Sequence, residues 1–173
     1  FFLFVMRIIG IDPGLATTGW AVVDFNGREI VEVVDYGIVE TKKGLDTGTR
    51  LGEIYSDLCE ILEEFKTEAS GVEILIFCNN AKTAMKVGEA RGVVLLALNN
   101  YGVETYEFAP LQLKNSICGY GKAEKKQVQE NVQRMCNLSS LPEPDDAADA
   151  IALAICCNDS IVLNNVSNLK NIC

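Results

Sequence analysis

Histidine does not occur anywhere in the 173 residues. That absence removes imidazole general bases, Ser-His-Asp hydrolysis and imidazole zinc sites from consideration. Any metal must therefore rest on carboxylates or thiolates. The thiolates are poor candidates: Cys59, Cys78, Cys118, Cys136, Cys156, Cys157 and Cys173 are odd in number, contain no C-x-x-C pair and mostly sit among apolar residues. Reduced thiols in a cytoplasmic protein are the expectation, with adjacent Cys156 and Cys157 acting as small buried hydrophobes. Long apolar runs are also missing. Phe1 to Val5 is too short to span a bilayer and lacks the basic region and cleavage site of a secretory signal, so no membrane association is expected. These five residues read as an upstream extension, with Met6 the natural start. Basic charge is scarce, 15 Lys+Arg against 24 Asp+Glu for a net charge of −9, which argues against coating nucleic acid by bulk electrostatics. A local basic surface on an acidic body stays open. Repeats and domain linkers are absent as well, leaving one domain over residues 6–157 and a polar, Asn-rich tail over 158–173 expected to be loosely held.

What is present begins with a short apolar run, Arg7-Ile8-Ile9-Gly10-Ile11, that ends in Asp12 and turns at Pro13-Gly14. Such a run reads as a strand buried on both faces. Thr18 to Phe25 and Ile30 to Thr41 supply two more strands, with Asn26-Gly27 as a type I′ hairpin signal between them. Leu51, Ile54, Tyr55, Leu58, Leu62 and Phe65 fall at helical spacing, and Val72 to Phe77 follows as a buried parallel strand. A long helix over residues 81–99 comes next, with Gly88 and Gly92 four apart; these bare patches suit either close packing on the sheet or the approach of a partner helix. Val103 to Phe108 is the fifth strand, followed by a Gly-punctuated segment from Lys114 to Lys122. A helix through Val128 and Val132 and a last one from Asp145 complete the order βββαβαβαα, a mixed α/β fold.

Four carboxylates stand out against this framework. Asp12 closes a buried strand, Glu73 lies inside another, and Asp146 and Asp149 lie three apart on a helix that is apolar nearly all round. Each has a bland account, turn capping for Asp12 and N-terminal capping for Asp146. Together they would repel one another unless cations neutralise them. Hard oxygen ligands without imidazole point to Mg²⁺, with Mn²⁺ able to substitute. Two such ions about 4 Å apart would clamp the attacking and leaving oxygens of a phosphodiester. Lys114, Lys122, Lys125, Lys126 and Arg134 make the stretch 113–134 locally positive, which suits phosphate contacts. For Lys122 and Lys126 an ordinary solvated helix face accounts for the pattern equally well.

Three blocks carry a family resemblance: Ile8 to Gly14 with Thr18-Gly19-Trp20; Glu73 with Asn80-Ala81-Lys82 and Val87 to Gly92; and Gly119-Tyr120-Gly121-Lys122-Ala123-Glu124-Lys125-Lys126 leading to Asp146-Ala147-Ala148-Asp149. In order and spacing, from Met6 to about Cys157, the chain resembles the RuvC Holliday-junction resolvases of the RNase H-like superfamily. The resemblance implies a five-stranded mixed sheet flanked by helices on both faces. It also implies a homodimer that nicks two opposed strands of a four-way DNA junction and works with the RuvA and RuvB branch-migration proteins. The family's acidic ligands carry over onto Asp12, Glu73, Asp146 and Asp149, and its functional lysines onto Lys114 and Lys125, the latter with a catalytic role. Two positions depart from the family. Where many relatives place a base-stacking Phe this chain has Ile76, leaving Phe77 next door, on the opposite face of a strand, as the aromatic candidate for DNA contact. Cys156-Cys157 stand where some relatives carry a His. Two other functions share parts of the pattern. Asp12-Pro13-Gly14 with Thr17-Thr18-Gly19 resembles the phosphate loop of actin-like ATPases, and a non-catalytic junction- or RNA-binding module could use the same fold. The first needs two subdomains and gives no reason for Asp146 and Asp149; the intact carboxylate set argues against the second.

Overall fold

The computed structural model describes residues 5–75 and 81–170. Strands β1 (Met6–Asp12), β2 (Thr17–Asn26) and β3 (Glu29–Glu40) lead into helix α1 (Thr47–Phe65) and strand β4 (Ala69–Glu73). Helix α2 (Ala81–Asn100), strand β5 (Glu104–Phe108) and helices α3 (Pro110–Cys118), α4 (Lys125–Met135) and α5 (Asp145–Lys170) follow. The sheet order is β3-β2-β1-β4-β5, with β1–β2 and β2–β3 antiparallel and β1–β4 and β4–β5 parallel. This is the expected five-stranded mixed sheet, and it carries helices on both faces.

Side-chain alternation along each strand sorts the core into two layers. Ile9, Ile11, Val22 and Val72 face α1 and α2, meeting Ile54, Leu58, Leu62, Val94 and Leu98. Ile8, Ala21, Val23 and Ala69 face the opposite layer, where the buried Ala147, Ala148 and residues 150–157 of α5 lie with Leu113, Val128 and Val132 beyond them. Asp12 and Glu73 share the parity of Ile8 and Ala69, so both belong to the α5 face. The expected burial of the two adjacent thiols is observed: Cys156 and Cys157 lie in this core, and burial pushes their thiols up to about 11 and about 12.

Helix α5 approaches the sheet unusually closely, and glycine is the reason. A Cβ at Gly19 would run into the Asp146 carbonyl, one at Gly10 into that of Ala150, and one at Gly71 into that of Leu153. The three glycines lie on adjacent strands β2, β1 and β4, and their helix partners recur at i, i+4 and i+7. The helix therefore crosses the sheet diagonally in backbone contact, with Asp146 placed beside the end of β1.

Four details differ from expectation. The two-residue β2–β3 loop is Gly27-Arg28, one position later than Asn26-Gly27, because Asn26 pairs with Glu29 and only Gly27 of the two takes positive φ (59°). Strand β4 spans Ala69–Glu73, not Val72 to Phe77, since Ala69 and Ser70 already pair with both neighbours; Ile76 and Phe77 lie outside the described residues. The Gly-punctuated segment contains a helix, α3, started by Pro110, packed through Leu113 and Ile117, and closed by Gly119 at φ 80°. Finally, the polar tail is not loose from residue 158: α5 continues to Lys170, because the buried Asn158 amide donates to the Gly27 carbonyl (2.8 Å) and Ile161 packs on the core.

Gly10→Ala is expected to lower stability by about 2–4 kcal/mol, because the added methyl meets helix backbone that must move. Gly52→Ala in α1, with nothing within 4 Å of the added carbon, is expected to raise it by roughly 0.5–1 kcal/mol. Denaturant unfolding of the two variants checks both signs.

Candidate active site

Asp12 reaches the site as the last residue of β1, at the point where the chain turns through Pro13-Gly14. Thr18 closes that turn, its hydroxyl donating to the Gly14 carbonyl (2.8 Å) and accepting from the Gly14 N–H (3.3 Å). Glu73 ends the neighbouring parallel strand, where Arg91 of α2 donates to its carbonyl oxygen (3.3 Å) and pairs with Glu107 of β5. Asp146 and Asp149 come from the first turns of α5, aimed by the glycine contacts described above. All four carboxylates are half-buried.

Their mutual effects show that they converge. Burial, then Glu73, Asp149 and Asp146, push the Asp12 carboxyl up to about 8. Burial likewise raises Glu73, while a hydrogen bond from Asp12 and the nearby Lys125 and Lys114 ammonium groups hold it back. Asp12 thus keeps a proton at neutral pH and donates it in a hydrogen bond to the Glu73 carboxylate. Asp149 is pushed up to about 6, chiefly by burial and against the pull of Lys125, and Asp146 is raised for the same main reason. This is an array of hard oxygen donors with too little positive charge around it. Magnesium-like cations fit such a donor set and would replace the proton that now holds it together. Among the described residues no three such donors are closed around one point.

The lysines divide. Lys125, the first residue of α4, faces every member of the quartet, and Lys114 of α3 faces Glu73. Lys122 and Lys126 are exposed, and Lys126 lines an open cleft with Lys125, Gln129 and Asp145. Arg134 is paired with Glu130 (3.9 Å) along its own helix. Phe77 lies outside the described residues. Asp145 is a participant that the pattern did not single out. Its carboxylate accepts from the Lys125 ammonium at 2.5 Å, a contact that raises Lys125 and lowers Asp145. An acidic residue in the first turn of a helix has an ordinary explanation in the helix dipole, and nothing in the spacing reveals a partner 20 residues earlier.

The Asp12 ionisation has a stability consequence. The folded carboxyl holds its proton up to about 8, whereas the unfolded one releases it near 3.8. The unfolded state therefore binds fewer protons across that window, and stability falls as pH rises. Without divalent cation, Asp12→Asn should be more stable than wild type at pH 8, by several kcal/mol, with the gap closing toward pH 4. Thermal unfolding across that range measures it.

Comparison with known proteins shows the family. The family model described as crossover junction endodeoxyribonuclease RuvC matches residues 8–157. The chain is 46% identical over 151 residues to the crossover junction endodeoxyribonuclease RuvC of Thermotoga petrophila, covering 87% of this chain and 91% of that protein. It is 43% identical over 162 residues to the same enzyme of Caldanaerobacter subterraneus, covering 93% and 98%. Among solved structures, Thermus thermophilus RuvC in complex with Holliday junction substrate superimposes with a TM-score of 0.86 at 32% identity, over 92% of this chain and 96% of that one. The chain belongs to the RuvC family of crossover junction endodeoxyribonucleases.

Proposed function

We propose that this chain is a divalent-cation-dependent endonuclease that resolves four-way DNA junctions by paired, symmetric phosphodiester hydrolysis in recombination and repair. One observation carries the chemistry: four half-buried carboxylates from β1, β4 and α5 face one another, and burial together with that crowding lets Asp12 hold a proton up to about 8. In the reaction Asp12, Glu73, Asp146 and Asp149 would hold two Mg²⁺ ions. Such a pair supplies an ionised water and charge neutralisation at both oxygens of an in-line displacement.

The rest is done by the chain's own groups. Asp12 gives up the proton it shares with Glu73 and joins the quartet as a carboxylate. Lys125, held by Asp145, presents a fixed ammonium to the charge that develops on the scissile phosphate, and Lys114 offers a second one beside Glu73. Lys122 and Lys126 extend the positive surface toward the flanking phosphates. The nuclease unit is assigned to residues 6–157.

Cutting two opposed strands in step calls for two sites, and the outer side of α2 suits a homodimer. Met85 and Leu96 are 66% and 53% exposed there, and among the described residues a Cβ added at Gly92 would meet nothing within 4 Å and one at Gly88 only the Leu75 side chain. RuvA and RuvB are the assigned junction-processing partners, and the cytoplasm the assigned compartment. No described helix is long and apolar enough to cross a membrane.

A synthetic mobile four-way junction tests the reading. Symmetric nicks by wild type with Mg²⁺, lost with chelator and lost in Asp12→Asn, are the expected result. Binding without cutting in both Mg²⁺ and Mn²⁺ would sink the nuclease in favour of a binding module. Lys125→Met should lower kcat by about 10²–10³-fold. Asp145→Asn should lower it by only threefold to tenfold, because Lys125 keeps its charge and loses its anchor; single-turnover cleavage reads both.

A further inference from the structure

A second cationic surface adjoins the quartet, from a part of the chain outside the lysine-rich stretch. A cleft of about 530 Å³ opens between the β1–β2 turn and the first turns of α1 and α2, lined by Lys43, Arg50, Lys86, Thr17 and Thr83 and reaching Asp146. Lys43 and Lys86 are exposed and Arg50 is half-buried. Arg50 is held rigidly by neutral acceptors only: its Nε donates to the Thr41 hydroxyl (2.8 Å) and its Nη2 to the Leu15 carbonyl (3.2 Å). Among the described residues none of these three cations is in an ion pair.

In a chain of net charge −9, three cations gathered around one cleft make a local positive surface that suits an anionic ligand. Among the described residues Asp146 is the single carboxylate lining the cleft. Lys114 meets the quartet at Glu73, whereas this cleft meets it at Asp146. Cations therefore flank the carboxylates at two separate places, an arrangement that a single small anion does not require and an extended polyanion does.

We infer that the cleft lined by Lys43, Arg50 and Lys86 binds the phosphodiester backbone of the substrate strand on the Asp146 side of the cut. This inference deepens the nuclease reading and rests on it. Backbone contacts of this kind set register and carry no base preference. They also release counter-ions, so each lost phosphate contact reduces the dependence of log affinity on log salt by about 0.9.

The test is junction binding by the full chain in chelator, between 50 and 200 mM salt, for wild type, the double variant Lys43→Ala/Lys86→Ala, and the double variant Lys43→Arg/Lys86→Arg. Lys66→Ala, at the far end of α1, serves as control. The alanine pair is expected to weaken binding about tenfold at the lower salt, to reduce the salt slope by about 1–2, and to raise KM for cleavage in Mg²⁺. The arginine pair is expected to restore the slope. An unchanged slope in the alanine pair overturns the inference, and so does a loss that arginine does not restore, since that would mark a structural role. Wild-type cleavage in Mg²⁺ separates the two levels: if it is present while the slope stays fixed, only the cleft assignment fails; if it is absent, the nuclease reading fails beneath it.

Discussion

Helix α5 lies on the sheet backbone to backbone, at Gly19, Gly10 and Gly71 of three neighbouring strands. Ordinary helix-on-sheet packing interposes two layers of side chains, which would hold Asp146 and Asp149 too far from the strand ends to act with Asp12 and Glu73. Removing the side chains from one layer, and using alanine at 147, 148, 150, 152 and 154 in the other, brings the helix down to the sheet. The same closeness explains why α5 is buried on every side over residues 150–157, since α4 and α3 cover its outer face there. Core packing and ligand placement are one interaction here.

That placement leaves an electrostatic debt in the folded chain. Four carboxylates are gathered where burial disfavours their charge, and Asp12 responds by keeping a proton. The fold therefore spends stability on gathering these carboxylates, a common pattern where function and packing compete. Lys125 and Lys114 offset part of the charge, and Asp145 keeps Lys125 in place. The protein's overall acidity and its DNA substrate are compatible because the attraction is local, confined to the surfaces that border the quartet.

Much of this was legible in the residues themselves. The alternating runs located three opening strands, and the mismatch between apolar surroundings and Asp12, Glu73, Asp146 and Asp149 marked the site before any coordinates. What stayed hidden depended on tertiary contacts. The reach of α5 past Asn158 rests on a buried amide meeting a hairpin carbonyl 131 residues away, which composition cannot express. Helix α3 has only Leu113 and Ile117 buried, too short a period to stand out between glycines. Lys43, Arg50 and Lys86 are scattered over 44 positions, so their shared cleft has no linear signature. Asp145 looked like a helix cap because it is at a helix start; its partner on α4 is visible only in three dimensions.

The two ends of the site lie near the two ends of the described chain: Asp12 is on the first strand, and Asp146 and Asp149 are on the last helix. During synthesis the sheet strands and α1 to α4 emerge before α5. Until that helix docks, the nascent chain holds only half of its carboxylates, together with an uncovered glycine-lined sheet face. A polypeptide interrupted before α5 could thus not assemble the quartet. The order of elements along the chain makes synthesis and docking of α5 a condition for bringing the four carboxylates together.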